Sequence, residues 1–435
     1  SALEVASWEF RTCKIPHVGM FAAKNGPCFS RQSRRSGNPL RGQSQECFRR
    51  ESPFAVRRID RQKNLALEPG CAVQAAVMNT AYDAVALYSG GLDSILAVKV
   101  VEEQGLRVKC LHCVSPFFGK PSLAPHWRDI YGLDIAVLDV SEAFVRMLTA
   151  RPAYGFGKVL NPCVDCKILM LRQARVQMNR YGASFIISGE VLGQRPMSQR
   201  RDSLNAIRRD AAVRDVLLRP LSAQLLDPTP MELSGLVDRR RLHDIAGRGR
   251  KKQMALAEYF RLAEIPTPAG GCRLAERENA RRYWPVLRHA PHPTAAEFRL
   301  ADTGRQYWAG EHWLSVGRNS RDNDALLRCA FPEDAVFDLP DFPGPLAVGR
   351  QFVDWEPAVL RDAAAFTASF APTAVRAGRE VTVRVTRGSP RGELLCECAV
   401  LPDRDTPLGW GISSWSEVRE KIRTEAGDAA QSDEG

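Results

Sequence analysis

The sequence predicts an α/β fold, a parallel sheet covered on both faces by helices, followed by a smaller α+β C-terminal domain. Three observations lead there. From residue 83 onward, short apolar runs alternate with helix-length segments, the pattern of strand–helix units in a parallel sheet. The first run breaks at a pair of glycines and opens directly into a helix. From about residue 300 the grain changes to several short strands.

Taken in order, Asp83-Ala-Val-Ala-Leu-Tyr88 reads as a strand, broken by Ser89-Gly90-Gly91. Ser94 to Gln104 reads as a helix closed by Gly105. Leu106 to Val114 and Leu133 to Val140 are expected strands, with Ser141 capping the helix that follows. Cys163 to Tyr181 is an expected helix, because Leu171, Ala174, Met178 and Tyr181 recur on one face and Gly182 stops it. Ser184 to Ser188 and Val213 to Leu218 complete the predicted sheet. A linker falls at Ala290-Pro-His-Pro-Thr294, and strands are expected over Glu380–Thr386 and Leu394–Val400. The expected division is a disordered basic extension over 1–77, a first domain over 78–290, a second over 300–400 and a disordered tail over 415–435.

Composition narrows the function. The 435 residues carry a net charge of +11, and residues 1–77 alone hold 13 Lys and Arg against 6 Asp and Glu. Basic charge of this size fits a nucleic-acid partner. No apolar run reaches the roughly 18 residues a spanning helix needs, and the first residues lack the apolar core of a secretory signal. The expected location is therefore cytoplasmic, with no membrane partner. Twelve cysteines in so long a chain are too few for a disulfide scaffold and read as thiols, some of them ligands or nucleophiles. Seven scattered histidines do not suggest a histidine-built metal site.

The segment Ser89-Gly90-Gly91-Leu92-Asp93-Ser94 lies between a strand and a helix N-terminus. Backbone N–H groups and the helix dipole point there at a bound anion. Two glycines let the backbone come close to a phosphate. The hydroxyls of Ser89 and Ser94 add donors, and Asp93 can hold Mg²⁺ or orient a loop amide. The lysine loop of Walker-type proteins and the G-x-G-x-x-G pattern are both missing.

Asn161-Pro162-Cys163-Val164-Asp165-Cys166-Lys167 opens the long helix. Pro162 suits a helix start, and thiols at a helix N-terminus are expected to ionise readily. A third thiol, Cys272 in Pro268-Ala-Gly-Gly-Cys272, is so far along the chain that only the fold can bring it to the pair. Three thiolates can hold a [4Fe–4S] cluster and leave one iron open to hydrosulfide. Zinc is the weaker candidate, since structural zinc wants four ligands and no fourth is evident. A redox Cys-x-x-Cys, a persulfide relay and buried inert thiols are the other readings. Cys110 and Cys113 would point to opposite faces of a strand, Cys396 and Cys398 share a face of another, and Cys329 is isolated; these five read as structural.

Together these motifs resemble the PP-loop ATP pyrophosphatases (adenine nucleotide alpha hydrolase-like), and within them the tRNA thiolation branch of 4-thiouridine synthetases and 2-thiouridylases. The matching pieces are Ser89–Ser94, Asn161-Pro-Cys163-x-x-Cys166-Lys, Ser188-Gly189-Glu190-Val-Leu-Gly193-Gln194-Arg195-Pro-Met-Ser198-Gln199 and Pro268-Ala-Gly-Gly-Cys272, with Gly247-Arg248-Gly-Arg250-Lys251-Lys252 also similar. The resemblance covers about residues 80–290. It implies ATP and Mg²⁺ at Ser89, Gly90, Gly91, Leu92, Asp93 and Ser94, with Gly189 bordering the nucleotide. It implies that the Glu190–Gln199 loop faces the nucleotide or target base and that Asp165 assists the sulfur step. Members with three such cysteines use a [4Fe–4S] cluster, here on Cys163, Cys166 and Cys272. The sequence departs from the 4-thiouridine synthetases in having no THUMP-type region before the loop and no rhodanese-like segment after it.

Leu314-Ser-Val-Gly317-Arg318-Asn319-Ser-Arg321-Asp-Asn323-Asp324 and Asp338-Leu-Pro-Asp-Phe-Pro343-Gly344-Pro-Leu resemble the NFACT-type RNA-binding domain, without the histidine expected near Pro345. Arg318 and Arg321 are the expected phosphate contacts. Basic clusters at Arg195–Arg209, Arg239–Arg241 and Arg248–Lys252 are expected to cradle a tRNA backbone.

The expected function is an ATP-dependent tRNA sulfurtransferase that adenylates a uridine carbonyl and replaces its oxygen by sulfur. Catalysis is assigned to Cys163, Asp165, Cys166 and Cys272. The expected partners are tRNA, a sulfur donor (sulfide or a persulfide carrier) and a second copy in a homodimer. The alternatives are a PP-loop ligase or amidotransferase acting on a small molecule, a non-catalytic RNA-binding protein and a redox sensor.

Overall fold

A computed structural model of the chain describes residues 82–266 and 271–432, without the side chains of 425–432. The expected extension over 1–77 lies outside the described residues, as do residues 268–270 of the third cysteine's motif. The first half runs β1 (Ala84–Leu87), α1 (Leu92–Glu102), β2 (Val108–Val114), α2 (Ala124–Tyr131), β3 (Asp134–Asp139), α3 (Ser141–Thr149), α4 (Cys163–Arg180), β4 (Phe185–Ser188), α5 (Arg201–Asp210) and β5 (Leu217–Leu218). Next come α6 (Pro230–Leu233), α7 (Lys251–Tyr259), α8 (Arg277–His289) and α9 (Ala295–Ala301). The last part runs β6 (Arg305–Ala309), β7 (His312–Val316), α10 (Ser320–Cys329), β8 (Ala335–Asp338), β9 (Ala347–Arg350), α11 (Pro357–Ala368), α12 (Pro372–Ala377), β10 (Val381–Arg387), β11 (Leu394–Val400) and α13 (Trp415–Ser432).

The first sheet is parallel, in the order β3-β2-β1-β4-β5. The central strands β1 and β4 are buried throughout because both faces are covered, whereas the edge strand β3 exposes alternate residues. Ala84, Ala86, Cys110, Phe185 and Ile187 pack toward α1 and α2. The alternate residues Val85, Leu87, Leu111, Cys113 and Ile186 pack toward α4. Cys110 and Cys113 thus lie on opposite faces, as strand geometry requires. The chain leaves β1 toward β2 on one side and returns to β4 on the other, so the order reverses between β1 and β4. Ligands of open α/β sheets bind in the crevice at the carboxyl ends of the strands flanking such a switch point.

The second sheet is antiparallel, in the order β11-β10-β8-β9-β7-β6. One face packs on α11 and α12. The other contributes Trp313, Val336 and Val348 to a core shared with α8 and α9, and with Phe117, Phe144 and Leu160 from the parallel-sheet half. A buried ionic triad ties this half together: Arg350 is held by Glu297 at 2.6 Å and Asp334 at 3.2 Å.

Three local expectations are corrected. The helix after β3 is started by Asp139, whose Oδ1 accepts from the Ser141 N–H at 2.8 Å, and Ser141 is the first helical residue. The fifth strand is two residues long, because a turn set by Ala212 in the left-handed region delays pairing until Leu217. Residues from 415 form a helix in place of a disordered tail; Val418 is buried, and Trp415 and Ile422 pack on the shared core. Up to residue 424 the charges Glu417, Arg419, Glu420, Lys421 and Arg423 are exposed and form the solvent side of an amphipathic helix.

Candidate active site

The Ser89–Ser94 loop leaves the carboxyl end of β1 at the switch point. Gly90 has φ +78°, and a Cβ there would lie 2.5 Å from the Trp127 ring, so glycine is required on both conformational and steric grounds. The Ser94 hydroxyl donates to Gly91 O at 2.7 Å and lies 3.2 Å from the Ser89 hydroxyl. Ser94 therefore shapes the loop from within, in place of the free donor expected from the sequence, while Ser89 is exposed. Leu92 buries its side chain in the core, so only its N–H at the start of α1 faces the loop. Gly189, at the end of β4, lies against Asp93 and Ser94: an added Cβ would meet Asp93 O at 2.6 Å and Ser94 Cα at 2.8 Å. Asp93 accepts from Gln194 Nε2 through Oδ2 at 3.1 Å, while its Oδ1 is buried without a partner. An orphaned carboxylate oxygen beside a phosphate loop fits Mg²⁺, a hard cation that takes oxygen ligands.

Beneath the loop, Tyr88, His112 and Trp127 pack edge to face, with ring centroids 5.0 to 6.3 Å apart. His112 Nε2 accepts from the Lys120 N–H at 2.9 Å, so Nδ1 carries the proton and donates to Tyr88 O at 3.0 Å. Burial holds the His112 pKa below the usual value, against the raising effect of the Tyr88 carbonyl. No motif in the sequence marks this buried support. Its pH consequence has a definite sign. A histidine kept neutral in the fold contributes stability above its unfolded pKa, near 6.5, and loses it as pH falls toward the folded value. The thermal midpoint should fall between pH 7 and 5, and His112→Gln should flatten part of that slope; an unchanged slope would remove His112 as its cause.

The three cysteines of the motifs come together. Cys163 and Cys166 are one turn apart at the start of α4. Cys272 is delivered by two backbone bonds: Arg273 N–H to Phe117 O at 2.9 Å, and Leu160 N–H to Leu274 O at 3.0 Å. Cys166 and Cys272 pack on the same apolar cluster. Burial pushes the Cys166 thiol far up, with smaller contributions from Cys272 and Cys163, and pushes Cys272 up to about 11, with Cys163 adding. The expected easy ionisation at a helix N-terminus is therefore overturned for Cys166, because desolvation outweighs the dipole. Among the described residues no group of three or more His, Cys, Asp or Glu is arranged to hold a single metal ion.

Asp165 is buried, and both its oxygens accept backbone N–H groups, from Ala153 at 2.9 Å and Tyr154 at 3.1 Å. Burial raises its pKa against the pull of those N–H groups. In this arrangement it fastens the turn at residues 153–154 to the cysteine helix.

The Glu190–Gln199 loop joins the two clusters. Gln194 holds Asp93 of the phosphate loop, and Asn161 Nδ2 bridges Cys163 Sγ at 3.1 Å and Met197 Sδ at 3.6 Å. The loop is anchored at its start by Glu190, 1 % exposed and paired with buried Arg219 at 3.0 Å. Burial pulls the Glu190 carboxyl up, but Arg219, Lys167 and Ser188 outweigh it and hold the pKa below the usual range. Arg219 has no motif around it in the sequence. Gly247 N–H donates to Leu192 O at 2.7 Å, which brings the Arg248–Lys252 segment beside this loop. The basic clusters differ in charge balance. Arg239, Arg240 and Arg241 each pair with an acid, as do Arg208 and Arg209, whereas Arg195, Arg248 and Arg250 pair with none among the described residues.

Residues 79–224 match the family described as thiamine biosynthesis protein (ThiI). This region is similar to a ThiI-type PP-loop domain. The chain also resembles the tRNA-specific 2-thiouridylase MnmA of Nitratidesulfovibrio vulgaris, in two strains, at 37 % identity over 90 residues. That match spans 19 % of this chain and 25 % of the relative, so the chain spans about a quarter of the curated relatives it matches. Among solved structures, the U34-tRNA thiolase NcsA of Methanococcus maripaludis with its [4Fe–4S] cluster is similar over 44 % of this chain and 62 % of its own, at 14 % identity and TM-score 0.26. A predicted tRNA methyltransferase subunit of Methanocaldococcus jannaschii is similar over 40 % and 75 %, at 15 % identity and TM-score 0.27. The C-terminal part of a fibronectin/fibrinogen-binding protein of Streptococcus suis is similar over 36 % and 74 %, at 20 % identity and TM-score 0.21.

Proposed function

We propose that the chain is an ATP-dependent tRNA sulfurtransferase. The observation that carries this reading is the Glu190–Gln199 loop, one segment held to the glycine loop through Gln194–Asp93 and to the cysteine cluster through Met197–Asn161–Cys163. An arrangement that activates an oxygen and then replaces it with sulfur needs both parts in one crevice. The α1 N-terminus, Gly90, Gly91 and Ser89 hold the phosphates of ATP, and Asp93 holds Mg²⁺ through its free oxygen. The target uridine leaves its stack, as bases that undergo chemistry must. Its carbonyl oxygen attacks the α-phosphate, and pyrophosphate leaves. Sulfur then attacks the activated carbon and AMP departs with the original oxygen.

Cys163, Cys166 and Cys272 are the residues that would hold a [4Fe–4S] cluster. They are soft donors, mutually coupled and largely screened from water, the kind of donor set such a cluster takes. When bound, the cluster supplies an open iron for sulfide. Asn161 orients the Cys163 sulfur, and Asp165 positions the helix that carries it. Arg195, Arg248 and Arg250 face tRNA phosphates with charge left over for them. The work is that of a cytoplasmic RNA-modifying enzyme.

The test is mass spectrometry of tRNA incubated with the protein, ATP and sulfide. Wild type should add one sulfur in exchange for one oxygen, only with ATP. Cys163→Ser and Cys272→Ser should still release pyrophosphate but form no thiolated product. Product formed equally well without ATP would sink the mechanism.

A further inference from the structure

β11 is an edge strand of the second sheet and pairs with β10 alone, so its twist is held from one side only. Cys396 and Cys398 lie two positions apart on it, on the face that packs toward α11. Their sulfurs are 3.5 Å apart. The register slips beside them: Cys396 stands opposite Val385, but Leu394 stands opposite Thr386. Such a bulge bends the strand and sharpens its twist, which shortens the rise between alternate residues. Cys398 is 6 % exposed, and Cys396 is half-buried. Burial pushes the Cys398 thiol up to about 12, Cys396 adds to the rise, and Arg361 of α11 opposes it. Cys398 therefore stays protonated near neutral pH, and Cys396 is the sulfur that a solute meets first. Sharing a face is legible in the sequence; contact between the sulfurs is what gives the pair its chemistry.

A thiol within reach of solvent, backed by a second thiol in contact with it, is the arrangement in which oxidation of the first is captured by the second. We propose that Cys396 and Cys398 form a reversible disulfide when the protein meets a peroxide, with Cys396 oxidised first and Cys398 resolving it. Cys396 Sγ attacks one peroxide oxygen, the O–O bond breaks, water leaves and Cys396 becomes a sulfenic acid. Cys398 Sγ then attacks Cys396 Sγ, the S–O bond breaks, and the hydroxyl leaves as water with the Cys398 proton. The two sulfurs give up two electrons, and the peroxide ends as two waters. Closure brings the sulfurs from 3.5 Å to about 2.05 Å. Two strand positions separate Cα atoms by at most about 6.8 Å, the upper edge of the disulfide range, so the bond is strained and easily reduced. Easy reduction suits a switching disulfide rather than a structural one. The pair packs in a different part of the core from Cys166 and Cys272, so the proposal goes beyond the thiolation reading and stands without it.

The experiment is hydrogen peroxide treatment of the full chain, alkylation of the remaining thiols and mass spectrometry of the tryptic peptide 392–404, which holds these two cysteines and no other. The expected result is a peptide lighter by two hydrogen atoms that takes up no alkylating group. Added glutathione should return it to two alkylated thiols. Cys398→Ser should lose the bridge and leave a sulfenic acid on Cys396 that dimedone traps. Cys396→Ser should leave Cys398 alkylable at peroxide concentrations that convert the wild type. Two alkylated thiols in peroxide-treated wild type would overturn the proposal. So would overoxidation of Cys396 with Cys398 still free, or a bridge from either cysteine to another peptide. The decisive reading is made on the wild-type chain without ATP, tRNA or sulfide, so it holds whatever the thiolation assay gives.

Discussion

Gly189→Ala should cut ATP-dependent pyrophosphate release by about a hundredfold, the cost expected when a reacting group is displaced by roughly 1 Å. The new methyl group would sit 2.6 Å from Asp93 O and 2.8 Å from Ser94 Cα. Both obstacles belong to the backbone of the loop and first turn of α1, so no side-chain rotation relieves them. Either β4 withdraws from β1 or the phosphate loop moves, and both open the crevice. The thermal midpoint should fall only by the amount typical of overpacking, about 1–3 kcal/mol of stability. Gly411→Ala is the matched control, since a Cβ there meets only Gly409 O, at 3.8 Å, an ordinary contact. Pyrophosphate release and ATP affinity measured on both variants decide the matter. A Gly189→Ala chain with wild-type turnover would show that this close approach does not position the loop.

Arg219→Met should cost about 3–5 kcal/mol in urea unfolding, because it leaves the Glu190 carboxylate buried and uncompensated. The pair is 5 % and 1 % exposed, so water cannot take over the lost interaction. The second variant separates structure from position. Arg219→Met with Glu190→Met removes both charges and should recover most of the lost stability, as apolar replacements of buried pairs commonly do. Thiolation activity should stay low in the double variant, because nothing then aligns the start of the loop that carries Gln194 and Met197. Full activity in a stable double variant would leave the ion pair with a structural part alone.

Much of the first half was legible in the residues. Apolar runs mark β1, β2, β3 and β4 because both faces of a parallel sheet are covered, and glycines punctuate their ends. The switch-point loop was legible for a related reason: Gly90 and Gly189 are places where a side chain has no room. The ends of elements were less legible. Asp139 and Ser141 are both good caps, and only the folded backbone shows which one accepts the hydrogen bond. The last helix was missed because its apolar residues are few and its charges many, and its partners are distant in sequence.

The sequence by itself determined the local pattern: a glycine loop on a helix start, a cysteine pair on another, and a surplus of positive charge. These depend on residues adjacent in the chain, where spacing alone sets geometry. The tertiary structure decided what depends on residues remote from one another. It brought Cys272 to the pair, spent Ser94 inside its own loop and turned both oxygens of Asp165 to a neighbouring turn. It also divided the arginines into those already neutralised and those with charge to offer. The physical reason is that burial and partnership set the state of a polar group, and both are properties of the packed chain rather than of its spacing.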